Sequence, residues 1–282
     1  MIKALTRAGL GHIESEVELI EYAAAYGFEA VELDPCLISK EYGLDQAKQL
    51  LEKKQLIPAA FSLSVNWQAS EKVFQEDLQQ LPHRAYAASM LGSTVCCTYI
   101  LPSTDHDLVT FSFHAVRRLR ICAQILHPYG IKLAIEFVGP HHLRTTWKHP
   151  FIHTMEDTLS LIEAIALPNV GLLIDSYHWH CNQMNTTQLK LLNAQDIAYV
   201  HINDAKPLPI EQLVDNDRLY PGDGVIDLVG FLDAIHNTGY QGIVAQEILS
   251  TELSINNEQA LTKIQSGLNI IWSQLQLSHS HQ

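Results

Sequence analysis

Four times along this chain an apolar run closes on a side chain competent to bind a metal ion. Lys132-Leu133-Ala134-Ile135 leads into Glu136, and Gly171-Leu172-Leu173-Ile174 into Asp175. Ile197-Ala198-Tyr199-Val200 leads into His201, and Ile243-Val244-Ala245-Gln246 into Glu247. Continuous runs of this length read as strands buried on both faces, the habit of parallel sheets. A carboxylate at the end of such a strand needs a cation, a metal or a helix N-terminus as partner. For Asp175 alone, capping a short helix that starts at Ser176 is the plainer reading. For His201 the alternative is a satisfied core histidine, and for either Glu a buried ion pair. The repetition is what favours a shared site. The four positions are separated by 39, 26 and 46 residues, room in each gap for one helix and its loops.

The rest of the chain keeps the same rhythm. Strands are expected at Ile2–Leu5, Phe28–Leu33, Leu56–Val65, Ser93–Ile100, Ile131–Val138, Gly171–Ile174, Ile197–Asn203 and Gly242–Ile248. Helical patterns lie between them. Ser15 and Glu18 have capping-box spacing, and Gly27 supplies a stop. Leu44–Lys54 is helical, Glu71–Leu91 is a long helix that Pro82 kinks or divides, and Asp107–Tyr129 ends at Pro128 and Gly130. Thr154 and Asp227 open further helices, Thr187–Asn193 is a short one, Glu258–Leu275 is the last, and Ser278–Gln282 is a polar tail. Eight strand-then-helix units imply a parallel sheet closed into a (β/α)8 TIM barrel, one domain over residues 1–282. An open doubly wound sheet is the alternative. The dinucleotide fingerprint fails, because Gly9-Leu10-Gly11 runs on as His12-Ile13-Glu14. Two long loops, Gly139–Pro150 and Asp204–Val225, are expected to be the least restrained parts of the rim.

Composition narrows the class of partner. The formal net charge is −13 with no run of Lys or Arg, which argues against nucleic acid. No stretch has the uncharged apolar length of a membrane helix, and the N-terminus lacks a signal-peptide core, so a cytoplasmic location is expected. The five cysteines form no CxxC pair and read as free thiols, with the neighbours Cys96 and Cys97 pointing to opposite faces of a strand. Assembly as a homo-oligomer is left open.

In a barrel the C-terminal strand ends share one rim, where active sites sit. Glu136, Asp175, His201 and Glu247 would converge there as an oxygen-rich set suited to one divalent ion. Mn²⁺, Mg²⁺ or Co²⁺ fit best, Mn²⁺ first, with Zn²⁺ admissible. At this point the chain resembles the xylose-isomerase-like superfamily of metal-dependent barrels over nearly its whole length. Tyr26–Asp34, YGFEAVELD, is similar to that family's second strand. In its epimerase and isomerase branch a Glu, Asp, His, Glu set closes strands five to eight, which maps onto Glu136, Asp175, His201 and Glu247. The family's Asp-x-x-His is Asp175-Ser176-Tyr177-His178, and its arginine before a Pro-Gly-x-Gly turn is Arg218 before Pro221–Gly224.

The resemblance implies an isomerase or epimerase of a polyhydroxy ketone or aldehyde, a sugar or an inosose, acting by proton transfer through a metal-stabilised enediolate. Glu136 and Glu247 would be its acid/base pair. His178 would hydrogen-bond a substrate oxygen, with a structural loop histidine as the alternative. Arg218 would reach another oxygen, with a surface-turn arginine as the alternative. Weaker candidates are Glu32 behind the ligands, Trp67 and Trp147 as walls, His180 facing solvent, and His141, His142 and Arg144 on the loop after strand five. The competing activity is a dehydratase of an inosose or dehydroshikimate-like substrate, because the same enediolate can expel a β-hydroxyl. An endonuclease IV-like DNA-repair enzyme fits poorly. That branch uses more histidines for three zinc ions, and strands three and four here end in Val65-Asn66-Trp67 and Tyr99-Ile100-Leu101. A non-catalytic sugar-binding barrel is the remaining option, against which the acid/base pair argues.

Overall fold

The computed structural model describes residues 1–251 and 255–279. All eight expected strands form. They are β1 (Ile2–Leu5), β2 (Ala30–Val31), β3 (Ile57–Pro58 and Ala60–Ser62), β4 (Val95–Ile100), β5 (Lys132–Phe137), β6 (Val170–Asp175), β7 (Ile197–Ile202) and β8 (Ile243–Gln246). Each pairs in parallel with its chain neighbours, and β1 pairs with β8. The ring closes through β3, whose two segments divide the work. Ile57–Pro58 pairs with β2, and Ala60–Ser62 pairs with β4. Pro58 has no N–H for a continuous ladder, and the changeover comes at Ala59, whose N–H donates to Val31 O at 2.8 Å.

The barrel interior is built mainly from small side chains. Ala4, Ala30, Ala60, Ala134, Ala198 and Ala245 face Leu173 and the fully buried Tyr199. These alanines leave room around the barrel axis, where Tyr199 supplies the one large ring of the inner cluster. Outside, two larger apolar clusters pack the helices on the strands. Cys96 joins the outer cluster and Cys97 the inner one, the opposite-face placement that strand alternation demands. All five cysteines are free. Among the described residues no helix is long and apolar enough to cross a membrane.

Helix ends follow local chemistry. Ser15 accepts from Glu18 N at 3.1 Å to start the helix Glu16–Ala25, while the Glu18 carboxylate accepts from Glu14 N, one residue earlier than a capping box requires. Pro82 divides the expected Glu71–Leu91 helix into Glu71–Leu78 and Leu81–Leu91. Pro35, read as punctuation, instead occupies the first turn of a helix Pro35–Tyr42 capped by Asp34. The last helix is longer than expected, Asn257–His279, so it takes in the first two residues of the expected tail; residues 280–282 lie outside the described part.

The two long rim loops are pinned, contrary to expectation. The first contains a helical turn, His141–Arg144, and a strand His149–Pro150 paired antiparallel with Ser103–Thr104. In the second, the buried Asp204 carboxylate accepts from Ala205 N, Gly222 N, Gly224 N and Ile226 N at 2.9–3.0 Å. A Cβ on Gly224 would lie 2.2 Å from Ala205 O, so the turn closes this tightly only on glycine.

Candidate metal centre and active site

Glu136, Asp175 and His201 lie at the C-terminal ends of β5, β6 and β7, and Glu247 is the residue after β8. One ligand atom from each falls within 4.8 Å of all the others. His201 sits between them. Its Nδ1 is 3.3 Å from Glu247 Oε2, 3.6 Å from Glu136 Oε1 and 3.9 Å from Asp175 Oδ2. His201 reaches this position through an irregularity in β7, where the register with β6 shifts between Ile197 and Tyr199. Ile197 packs outward, while Tyr199 packs into the interior. The extra residue, Ala198, resets the alternation so that Tyr199 and His201 both face the barrel axis.

Three carboxylates and one imidazole share this small buried volume. Burial pushes the Glu136 carboxyl above the ordinary range and the Glu247 charge adds to this, against the pull of His201 and His178. Burial acts in the same sense on Glu247, but His201 and Arg218 outweigh it and hold that carboxyl well below the usual range. For His201, burial disfavours the charged ring. Glu247, Glu136 and Glu32 together reverse this and raise its pKa well above the usual value. Yet Glu136 Oε1, His201 Nδ1 and His201 Nε2 are all buried without a hydrogen-bond partner. Unpartnered polar atoms in so dry a place are costly. A divalent ion among the three carboxylates and Nδ1 would partner Glu136 Oε1 and Nδ1 together, with Nε2 left to Glu32 at 3.5 Å, so the residues present fit such an ion.

A second ring of groups positions the first. Asp175 turns one oxygen to a helix and the other to the cluster. Oδ1 accepts from Tyr177 N at 2.6 Å and His178 N at 3.2 Å, capping the helix Ser176–Cys181, while Oδ2 faces the cluster. Asn203 Nδ2 donates to that Oδ2 at 2.8 Å. Glu32 stands 3.5 Å from His201 Nε2 and accepts from Tyr199 OH at 2.8 Å, an outer carboxylate behind the imidazole.

Arg218 is not a surface-turn residue. Its side chain is 1% exposed. Nη1 donates to Asp175 Oδ2 at 3.1 Å and Glu247 Oε2 at 2.9 Å, and Nη2 to Asp215 Oδ1 at 2.9 Å. Burial opposes its charge, but Asp175, Asp215 and Glu247 hold it protonated. His178 is buried beside it. The ring accepts from Gly139 N through Nδ1 at 3.3 Å, which leaves Nε2, 3.8 Å from Glu136 Oε1, for the cavity. Gly139 is needed there, since a Cβ would meet His178 O at 2.7 Å.

The cluster opens into a cavity of about 480 Å³ whose lining includes Glu32, Glu136, His178, His201, Asp215, Arg218 and Glu247, with Leu63, Tyr99, Val138 and Leu249 as apolar walls. This size and mixture suit a small polar ligand. Several weaker candidates fall elsewhere. Trp67 is packed in the outer core against Phe111, and neither it nor Trp147 lines this cavity. Arg144 ties the rim together by donating to Gly139 O and Cys181 O, and His141 and His142 form the turn before it. His180 is half-buried rather than solvent-facing, and burial lowers its pKa. Sequence reasoning missed Asn203 and Asp215. The signals were Asn203 two residues past His201 on the same strand face, and the Asp-x-x-Arg spacing of Asp215 with Arg218.

The comparison with protein families is decisive about kinship. The model of the xylose isomerase-like TIM barrel matches residues 20–269. The chain belongs to this family. Within the family, it is 36% identical to the inosose isomerase of Bacillus subtilis (strain 168) over 130 residues, a match spanning 46% of this chain and 44% of that protein. It is 25% identical to the inosose isomerase of Halalkalibacterium halodurans over 252 residues, 87% of each chain. Among solved structures of the family, a xylose isomerase domain protein from Alicyclobacillus acidocaldarius superposes with a TM-score of 0.90 at 32% identity. That superposition covers 98% of this chain and 99% of the other.

Proposed function

We propose that this protein is a divalent-metal-dependent isomerase or epimerase of a polyhydroxy ketone or aldehyde, with an inosose as the leading substrate. The carrying observation is the convergence of Glu136, Asp175, His201 and Glu247 within 4.8 Å, at the floor of a cavity walled by His178 and Arg218. Kinship with inosose isomerases supports the same reading. We infer Mn²⁺ as the ion, on the hard, oxygen-rich donor set. When bound, it would polarise a substrate carbonyl and favour the negative charge that develops as the neighbouring proton leaves.

The protein's own groups handle the proton. One of Glu136 and Glu247 accepts it from the carbon beside the carbonyl, and the other returns a proton to the adjacent or opposite position. His178 Nε2–H donates to a substrate oxygen, and Arg218 orients the carboxylates while its Nη2, 3.5 Å from that Nε2, is placed to share the same oxygen. The negative net charge of −13 points away from nucleic acid as a partner, and the location inferred is the cytoplasm.

The test is deuterium exchange from D₂O into 2-keto-myo-inositol and a panel of ketoses, followed by NMR. Glu136→Gln and Glu247→Gln should each retain metal while turnover falls by about 10²–10⁴. If both variants turn over a substrate at the parent rate, the proton-transfer assignment is wrong. Loss of water by mass would move the activity to a dehydratase.

A further inference from the structure

A second cavity opens on the same rim, beside the ends of β1, β2 and β3. It has a volume of about 370 Å³ and shares Glu32, Ser62 and Glu247 with the metal cavity, so the two are lobes of one depression. None of the functional roles above uses its remaining walls. The metal lobe alone is already within the size range of a complete small-ligand site, roughly 300–1,000 Å³. The additional room therefore calls for an occupant of its own.

The second lobe is polar in a specific way. Arg7 pairs with Glu16, whose side chain is fully buried and also accepts from Asp34 N at 3.1 Å. Arg84 Nη2 donates to Asp34 Oδ2 at 2.7 Å, and its guanidinium lies 5.8 Å from the centre of the Phe61 ring. Asp34 Oδ1 is held by Cys36 N and Leu37 N at the start of Pro35–Tyr42. Both guanidiniums are thus fixed and already neutralised. Counting the shared residues, two arginines face four carboxylates, Glu16, Glu32, Asp34 and Glu247. Such a surface offers donors and acceptors side by side without excess positive charge. It matches hydroxyl groups, which both donate and accept, and it disfavours a phosphate or carboxylate.

We propose that this lobe is a second subsite, which binds a neutral, hydroxylated substituent carried by the substrate beyond the carbons that exchange protons. Arg7 and Arg84 donate to its hydroxyls, Asp34 accepts from them, and the buried Glu16 holds Arg7 in place. The preferred substrate is then an inosose or other keto sugar that carries such a glycosyl or comparable extension. The inference rests on the isomerase reading for the identity of the reacting part, and binding and exchange test the two separately.

The experiment is isothermal titration calorimetry of the full-length, Mn²⁺-loaded protein with D-fructose, fructose 6-phosphate and three glucosyl-fructoses, namely isomaltulose, leucrose and maltulose. At least one disaccharide should bind about tenfold or more tightly than fructose, the worth of one or more charge-assisted hydrogen bonds. Fructose 6-phosphate should gain nothing. Arg84→Met should bring the disaccharide-to-fructose affinity ratio down towards one. Leu37→Trp should do the same by filling the lobe. Leu37 is 47% exposed, so this variant keeps the core intact if Arg84→Met fails to fold. Equal affinities for fructose and all three disaccharides, binding by none, or a gain with fructose 6-phosphate would overturn the subsite. Deuterium exchange into the same sugars reports the reaction independently. Preference without exchange into these sugars or into 2-keto-myo-inositol removes the isomerase reading and keeps the subsite, and exchange without preference does the reverse.

Discussion

At the scale of single residues, the site depends on one guanidinium whose fork has three different carboxylate partners. Arg218 Nη1 bridges Asp175 and Glu247, and Nη2 holds Asp215, all within 3.1 Å. A lysine ammonium is a point charge and cannot span these directions. Arg218→Lys should therefore keep the net charge and the metal but lower kcat/KM by about 10²-fold, the loss of roughly 3 kcal/mol of oriented interaction. Metal content by elemental analysis and steady-state kinetics check both halves, and parent-like kinetics would show that charge alone suffices at this position. His201 differs in kind. It supplies the only nitrogen of the four-residue cluster, so its replacement should cost the metal itself.

At the scale of elements, the site is assembled where strand ends meet the next helix. The helix Ser176–Cys181 begins on the Asp175 carboxylate of the cluster and carries His178, so its position couples the cluster to the cavity wall. It lies against Gly139 just beyond β5, where a Cβ would sit 2.7 Å from His178 O and 2.8 Å from Asn182 Nδ2. Gly139→Ala should displace that helix. The expected outcome is a loss of about 1–3 kcal/mol of stability, typical of overpacking, with kcat reduced more than metal content. Thermal unfolding and metal analysis of the purified variant measure the two effects. Unchanged stability and unchanged kcat would mean that the helix yields freely and that its placement is not critical. The pinned loop Asp204–Val225 obeys the same logic. Asp204 gathers four N–H groups, and the turn it closes places Arg218 inside rather than on the surface.

At the scale of the whole molecule, a ring of eight strands keeps a cluster of buried carboxylates together that would otherwise repel. A divalent ion that binds this arrangement and not the unfolded chain adds stability by mass action, about 2.7 kcal/mol at a free concentration one hundred times its Kd. Mn²⁺ should raise the Tm, EDTA should lower it, and His201→Ala should abolish the difference. A Tm that Mn²⁺ leaves unmoved would argue against the cluster as a metal centre. Unfolding should be a single cooperative event. The pinning of both long loops directs the first proteolytic cut away from them, and cleavage that releases two folded halves would contradict a single closed barrel.

Much of this was legible in the chain because the barrel writes its period locally. An apolar run that ends on Glu136, Asp175, His201 or Glu247 states both that a strand is buried and where it stops, and those two facts determine which end of the barrel the side chain occupies. Caps such as Ser15, Thr154 and Asp227 are equally local, since each satisfies an N–H three residues away. What the sequence did not carry depends on contacts between distant segments. The irregularity at Ala198 exists only in relation to the neighbouring strand β6, and without it the inward alternation of Tyr199 and His201 has no register. The burial of Arg218 follows from Asp175, Asp215 and Glu247 closing around it, and the split of β3 from its two different neighbours. The second rim lobe likewise exists only where Arg7, Asp34 and Arg84, from three separate units, come to face one another. Local periodicity determines which residues reach the rim; only the closed ring decides which of them touch.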